Sequence, residues 1–345
     1  MVENLEVYET VKRWMTKLAS KNRSPDFDKS STKRAGLYWL GKYLKFLSAT
    51  PERPTNPESL IMERIKQSES TNMLVKRTQE DFLEGFIVQM RRDNYSSNSI
   101  AVATGLVKSF YKANHVPMEG VSTVRTFKVR SFKIPTVKDL KKMCENADPP
   151  LKAWILCQAN SGLANEDLLN LSLSNSSSEY GTIKSQLKKG MNCVHIEIRR
   201  QKTGERTDTF FGPNAVEALK EYVTVGGANN RIFKSPSDPK RGMSSRSLEQ
   251  QVKSLAIKSH VATKEVPVTP YCLRRFFNTY MKLAGINEAL VEVMMGHSIG
   301  KVRGAYLVLG QGQTNQGVAS GAGVPISKLM EIYMQAYPSI DINNV

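Results

Sequence analysis

At 345 residues, with 40% apolar and 23% charged side chains, the chain is long enough for two cores of unequal size and apolar enough to fill them, which excludes a largely disordered polymer. A formal net charge of +17 and a pI near 9.6 call for a polyanionic partner, nucleic acid first and an anionic membrane surface second. No apolar run of roughly eighteen residues, no signal-peptide pattern at Met1-Val2-Glu3-Asn4-Leu5-Glu6, and four scattered cysteines (Cys144, Cys157, Cys193, Cys272) without histidines at metal spacing argue against a membrane span, a secretory leader and structural zinc. A cytoplasmic protein with buried thiols, no metal and no cofactor is expected.

Helical spacing begins with Val7, Val11, Trp14, Met15 and Leu18, and continues with Leu37, Leu40, Tyr43, Leu44 and Leu47 until Pro51, Pro54 and Pro57 close the second helix. Further helices are predicted at 57–67, at 78–92 through Phe82, Phe86 and Met90, and at 96–113 with Ser96 or Ser97 as N-cap. Residues 1–120 therefore read as an all-helical module. Its unbalanced cations, Lys12, Arg13, Lys17, Arg91 and Arg92 among them, are either solvated helix faces or a surface that grips phosphates. The stretch 121–134 loses the helical stripe and alternates Arg125, Lys128, Arg130 and Lys133 with Val124, Phe127, Val129 and Phe132: an interdomain linker, suited to lying along a DNA backbone or to an edge strand.

From Pro135 a second domain is predicted, spanning 135–309. Thr136 caps a helix through Val137, Leu140 and Met143, and an apolar helix follows at 151–160. Strands at 193–199 and 206–211 form a hairpin around Lys202-Thr203-Gly204-Glu205. Gly212-Pro213 opens a helix through Ala215, Val216, Leu219 and Tyr222, with others at 244–258, 270–284, 286–295 and 300–307. Residues 310–324 are a Gly-rich tether by composition, and a last amphipathic helix at 325–337, within 325–345, carries Ile326, Leu329, Met330, Ile332 and Tyr333 and docks either in cis on its own domain or, as expected here, in trans on a neighbouring subunit. The expected fold is mainly α with a small β-hairpin: a helical N-terminal domain and a mixed α+β domain after it.

The last third brings together Tyr271-Cys272-Leu273-Arg274-Arg275 at the start of one helix, Gly296-His297 at the end of the next, and Tyr306 nine residues beyond His297. Singly these are ordinary; Gly-His is a common helix end and a tyrosine on an apolar helix is usually core. In this order and spacing they resemble the catalytic domain of the tyrosine recombinases, or phage-type integrases, especially archaeal integrases and chromosome-dimer resolvases. That family carries His-x-x-Arg, sometimes with lysine or tyrosine in first place, then Gly-His and the nucleophile. Lys202, in Arg199-Arg200-Gln201-Lys202-Thr203-Gly204, matches the lysine on its upstream hairpin turn. The resemblance covers 135–306, and loosely the helical module, which would correspond to the domain that closes a clamp on DNA.

The resemblance implies that Tyr306 attacks a DNA phosphodiester and becomes joined to the 3′ phosphate, that Arg274 holds the non-bridging oxygens, and that Lys202 protonates the departing 5′ oxygen. His297 would donate to the phosphate or help move the phenolic proton. Tyr271 either donates to the same phosphate or is a buried aromatic cap; Tyr333 and Tyr337 are reserve nucleophiles. Arg125, Lys128, Arg130, Lys133, Arg199, Arg200, Arg275 and Arg303 are the expected DNA contacts.

One departure is large: where the family has Gly-Leu-Arg, this chain reads Gly162-Leu163-Ala164-Asn165-Glu166-Asp167. Losing such an arginine costs on the order of 10³–10⁵ in rate. Three explanations compete: the site was disabled by replacement at Ala164, which leads; another arginine such as Arg199, Arg200 or Arg303 moves in; or the enzyme is slow. Asp167 supports the site or caps its helix. The expected protein is a metal- and ATP-independent site-specific recombinase of a virus, plasmid or other mobile element, acting on duplex DNA as a tetrameric synapse through its C-terminal helix. The alternatives are a catalytically impaired DNA-binding protein of the same fold and an enzyme like the type IB topoisomerases.

Overall fold

The computed structural model describes residues 4–345 apart from 23–25, 29, 50–52, 122–123, 127–130, 203, 225–230, 236–241 and 298–323. The chain divides into two units, Met1–Val129 and Arg130–Val345.

The first unit is helical: α1 (Glu9–Ala19), α2 (Ser31–Ser48), α3 (Pro57–Ser68), α4 (Met73–Lys76), α5 (Thr78–Arg92) and α6 (Ser97–Ala113). Caps set these boundaries. Ser30 accepts from the Lys33 N–H, Asn56 and Ser59 exchange hydrogen bonds ahead of Pro57, and Ser96 rather than Ser97 caps α6 by accepting from Ser99. Trp14, Tyr43, Phe86, Phe110 and Tyr111 fill the core. Under it lies a buried ion pair: Arg64 on α3 donates to both Glu80 carboxylate oxygens, at 2.8 and 2.6 Å, and to the carbonyls of Lys76 and Pro117. One guanidinium thereby fastens α3 to α4, to α5 and to the chain beyond α6. Helix α4 was not predicted; four residues are too few for a periodicity to register.

The second unit contains α7 (Val137–Glu145), α8 (Pro149–Ser161), α9 (Asn165–Leu169), β1 (Ser176–Ser177), β2 (Gly181–Thr182), α10 (Ile183–Lys188), β3 (Val194–Arg199), β4 (Arg206–Phe211), α11 (Pro213–Thr224), α12 (Ser245–Lys258), α13 (Pro270–Leu283), α14 (Glu288–Met294) and α15 (Ile326–Ala336). Helix α8, capped by Asp148, is buried on all sides along its second half and packs against α11, α13 and β4. Strands β3 and β4 pair antiparallel from Val194↔Phe211 to Arg199↔Arg206. The fold is thus mostly helical, with two small antiparallel sheets among the described residues.

The sheet of β1 and β2, and α10, were not foreseen. They are attached through His195, fully buried on β3, whose ring nitrogens meet Ser177 Oγ at 2.7 Å and Asp208 Oδ1 at 3.2 Å. Ser177 Oγ also accepts from the Glu179 and Tyr180 N–H groups, so this Ser–His–Asp row is a structural bolt. All four cysteines are free and buried, and burial pushes the Cys144 and Cys193 thiols up to about 12. Among the described residues no helix is long and apolar enough to cross a membrane.

Helix α15 seats on its own unit in the single chain. Ile326, Leu329 and Tyr333 are buried, the Tyr333 ring lies 5.1 Å from that of Phe210 on β4, and the Tyr337 hydroxyl accepts from the Asn214 N–H at 3.0 Å. Tyr333 and Tyr337 are therefore core residues and not reserve nucleophiles: burial pushes both hydroxyls up, away from the phenolate an attack needs. The predicted helix at 300–307 and the tether lie outside the described residues.

Candidate active site

Three local structures of the second unit converge. Pro270 at the first position of α13, with Cys272 Sγ accepting from the Thr269 N–H, fixes the start of that helix and puts Arg274 one turn in, facing the core at 7% exposure. Its guanidinium donates to the Gly162 carbonyl at 2.5 Å and the Met295 carbonyl at 2.8 Å, and Nη2 reaches His297 Nε2 at 2.7 Å. Gly162 ends α8 at φ +60°, where a Cβ would overlap the Phe277 ring; the Gly-Leu pair is thus a left-handed helix cap that aims a carbonyl at Arg274.

Helix α14 ends in a Schellman turn: Gly296 N–H donates to Val293 O and His297 N–H to Glu292 O. Gly296 sits at φ +69°, and a Cβ there would overlap Thr207 Oγ1 and the Arg200 side chain. The turn throws the His297 ring back onto Glu292, whose carboxylate meets Nδ1. An arginine only donates, so His297 Nε2 accepts from Arg274 and Nδ1 carries the ring proton. Burial would raise the Glu292 carboxyl, but the hydrogen bond from His297 and the hydrogen bond and charge of Lys282 outweigh it and hold the group below the usual range. Glu292 was not singled out from sequence. It precedes His297 by five residues, and the two meet only because the helix ends between them.

The third element is the end of β3. Arg200 is 9% exposed: Nε donates to Asp167 Oδ2 at 3.2 Å and Nη1 to the Gly296 carbonyl at 2.7 Å. The other Asp167 oxygen accepts from the Gln201 N–H at 3.1 Å. Asp167 is thus occupied by the hairpin; it does not cap α9, whose N-cap is Ala164, with no side-chain bond there. Arg200, expected either on the DNA surface or moving in for the missing arginine, is buried beside Arg274. Burial first, then the charge of Arg200, pulls the Arg274 guanidinium down to about 10.

Lys202 is exposed on the turn, two residues past Arg200, in a loop closed by Arg200 N–H to Glu205 O and Gly204 N–H to Arg200 O. Tyr271 is 59% exposed and so is not a buried cap; its ring meets Phe132 edge to face at 6.1 Å, and the Arg275 guanidinium lies over both rings. Arg125 and Arg199 are exposed. Lys133 is tied down: its ammonium pairs with Asp139 at 3.0 Å and donates to the Val261 carbonyl, which removes it from the free cations expected on the linker. Tyr306, Arg303, Lys128 and Arg130 lie outside the described residues.

Two guanidinium groups, an imidazole and an adjacent exposed ammonium are what an anionic phosphoryl centre needs for charge neutralisation and proton transfer. Among solved structures, the chain is similar to a lambda integrase dimer bound to a COC′ core site, with 14% identity, TM-score 0.58 and 85% of this chain and 95% of that one covered. It is also similar to the Tn1549 transposon integrase in complex with circular intermediate DNA (14%, 0.54, 86% and 94%) and to the XerH recombinase bound to a palindromic difH substrate (12%, 0.55, 90% and 93%). At these identities the likeness is one of fold. No curated protein matches the chain. The model of the phage integrase family matches residues 135–308, the span that carries every element of this site, and with just over half of its length matched the chain belongs to that family.

Proposed function

We propose that the protein is a site-specific recombinase that cuts and rejoins duplex DNA through a 3′-phosphotyrosyl bond to Tyr306. The observation that carries the reading is the meeting of Arg274 with His297 beside the Met295 carbonyl, and of Arg200 with the next carbonyl, Gly296, while Lys202 on the hairpin turn is anchored to the same place through Asp167 and Arg200. In cleavage the Tyr306 oxygen bonds to phosphorus, the bond to the 5′ oxygen breaks, and that oxygen takes a proton from Lys202. His297, with its proton on Nδ1, has Nε2 available to assist the phenolic proton once Arg274 turns to the phosphate. Side chains supply both charge and protons, so neither metal nor ATP enters, and rejoining reverses the steps.

The wider setting we infer is integration or excision of a mobile element in the host cytoplasm or nucleoid, in a protein near the archaeal integrases. Four protomers on two DNA sites, with α15 exchanged between neighbours, make the synapse. One observation favours a second reading, binding without cleavage: Ala164 stands where the family carries an arginine. A suicide assay separates the two. A nicked duplex carrying a site that the protein itself selects from a randomised pool should trap a covalent adduct that Tyr306→Phe abolishes. Tight binding with no adduct would leave binding as the function.

A further inference from the structure

The second unit holds two buried arginines side by side with too little negative charge between them. Arg200 is hydrogen-bonded to one carboxylate, Asp167, and Arg274 to none: its partners are two carbonyls and a neutral imidazole nitrogen, and Asp167 and Glu292 act on it only through space. Desolvated like charges repel, and such a pair persists where an anion completes it. The geometry leaves a donor for that anion. The bonds to Asp167 and Gly296 use Nε and Nη1 of Arg200 and not Nη2, while Arg274 and Arg200 are held by the carbonyls of consecutive residues, Met295 and Gly296.

The anchors of Arg200 bring it to the segment that lacks an arginine. Gly162, two residues before Ala164, holds Arg274; Asp167, three residues after it, holds Arg200. Ala164 itself is half-buried at the N-cap of α9 and makes no side-chain hydrogen bond there. Arg199, the neighbouring candidate, is exposed on the strand opposite Arg206, and only Arg200 turns inward.

We infer that Arg200, delivered from the end of β3 and oriented by Asp167, supplies the second guanidinium to the scissile phosphate in place of the arginine absent at Ala164. Asp167 is then a positioning residue for Arg200. The inference rests on the recombinase reading, and its test keeps the two apart.

Single-turnover adduct formation is measured on the self-selected suicide duplex in two forms, one with the natural phosphodiester and one with a methylphosphonate, which lacks the non-bridging charge, at the cleaved position. With the phosphodiester, Arg200→Ala should lower the rate by on the order of 10³, as expected for one phosphate-bound arginine. On the methylphosphonate the same variant should lose less than about tenfold, because the charge the guanidinium neutralises is gone. The ratio is internal to each variant, so a loss of folded protein cancels. Equal losses on both duplexes would make Arg200 a structural strut and overturn the inference while the recombinase reading stands. Ala164→Arg in the otherwise unsubstituted chain should gain little; a gain approaching 10³ would mean the place is empty and would equally overturn it. No Tyr306-dependent adduct from the unsubstituted protein would overturn the functional reading, and the inference with it.

Discussion

His297 depends on a residue that no motif marks. Glu292 fixes both its orientation and its tautomer, by meeting Nδ1 while Arg274 occupies Nε2. Glu292→Gln should keep DNA affinity but lower the cleavage rate by up to about 10²-fold, the low end of what general acid–base catalysis supplies; an unchanged rate would mean the ring is held by Arg274 alone. Because the Glu292 carboxyl is held below its ordinary value in the folded protein, its contribution to stability is present above the unfolded carboxyl's pKa and is lost as pH falls through the lowered one. The difference in Tm between the unsubstituted protein and Glu292→Gln should therefore narrow in acid. At this scale Arg274 and His297 were legible because their types and spacing repeat a pattern. Asp167 and Arg200 were legible only as candidates among alternatives, and Glu292 was not legible at all, because the partners of all three are distant in sequence or hidden by a helix end.

Helix ends decide how the elements deliver those residues. Gly296 must be glycine twice over, for its left-handed φ and for its contact with Thr207 and Arg200. Gly296→Ala should cost about 1–2 kcal/mol from backbone strain alone and more from overlap, measurable as a lower urea midpoint, and should slow cleavage by displacing His297. A midpoint unchanged within error would show that the turn relaxes freely. In the first unit, Glu80→Ala strands the buried Arg64 and should destabilise by about 3–5 kcal/mol; a loss under about 1 kcal/mol would mean that water reaches the guanidinium. Long helices were legible from apolar periodicity, and caps such as Thr136 and Ser96 from residue type. The short α4, α9, α10, β1 and β2 were not, since two to six residues carry no period and are held by contacts such as His195 with Ser177.

For the whole molecule, a net charge of +17 makes the proposed duplex partner strongly salt-dependent. Affinity should fall by on the order of 10³ or more between roughly 50 and 200 mM salt if six or more phosphates are contacted; a nearly flat salt dependence would point to a different partner. Adduct formation should be unchanged by a chelator such as EDTA, since no step in the proposed chemistry needs a metal. The sequence by itself determined the helical class, the hairpin, and the order of Tyr271, Arg274, Gly296, His297 and Tyr306, because hydrophobic period, turn residues and motif spacing are local properties written along the chain. It could say that an arginine was missing at Ala164 but not which one stands near its place. Only the tertiary structure decided that Arg200, on a different element, turns inward to Asp167 and Gly296, that Lys133 is tied to Asp139, and that Tyr333 and Tyr337 are core. Each of these depends on which surfaces are buried against one another, a property of packing that no window of sequence contains.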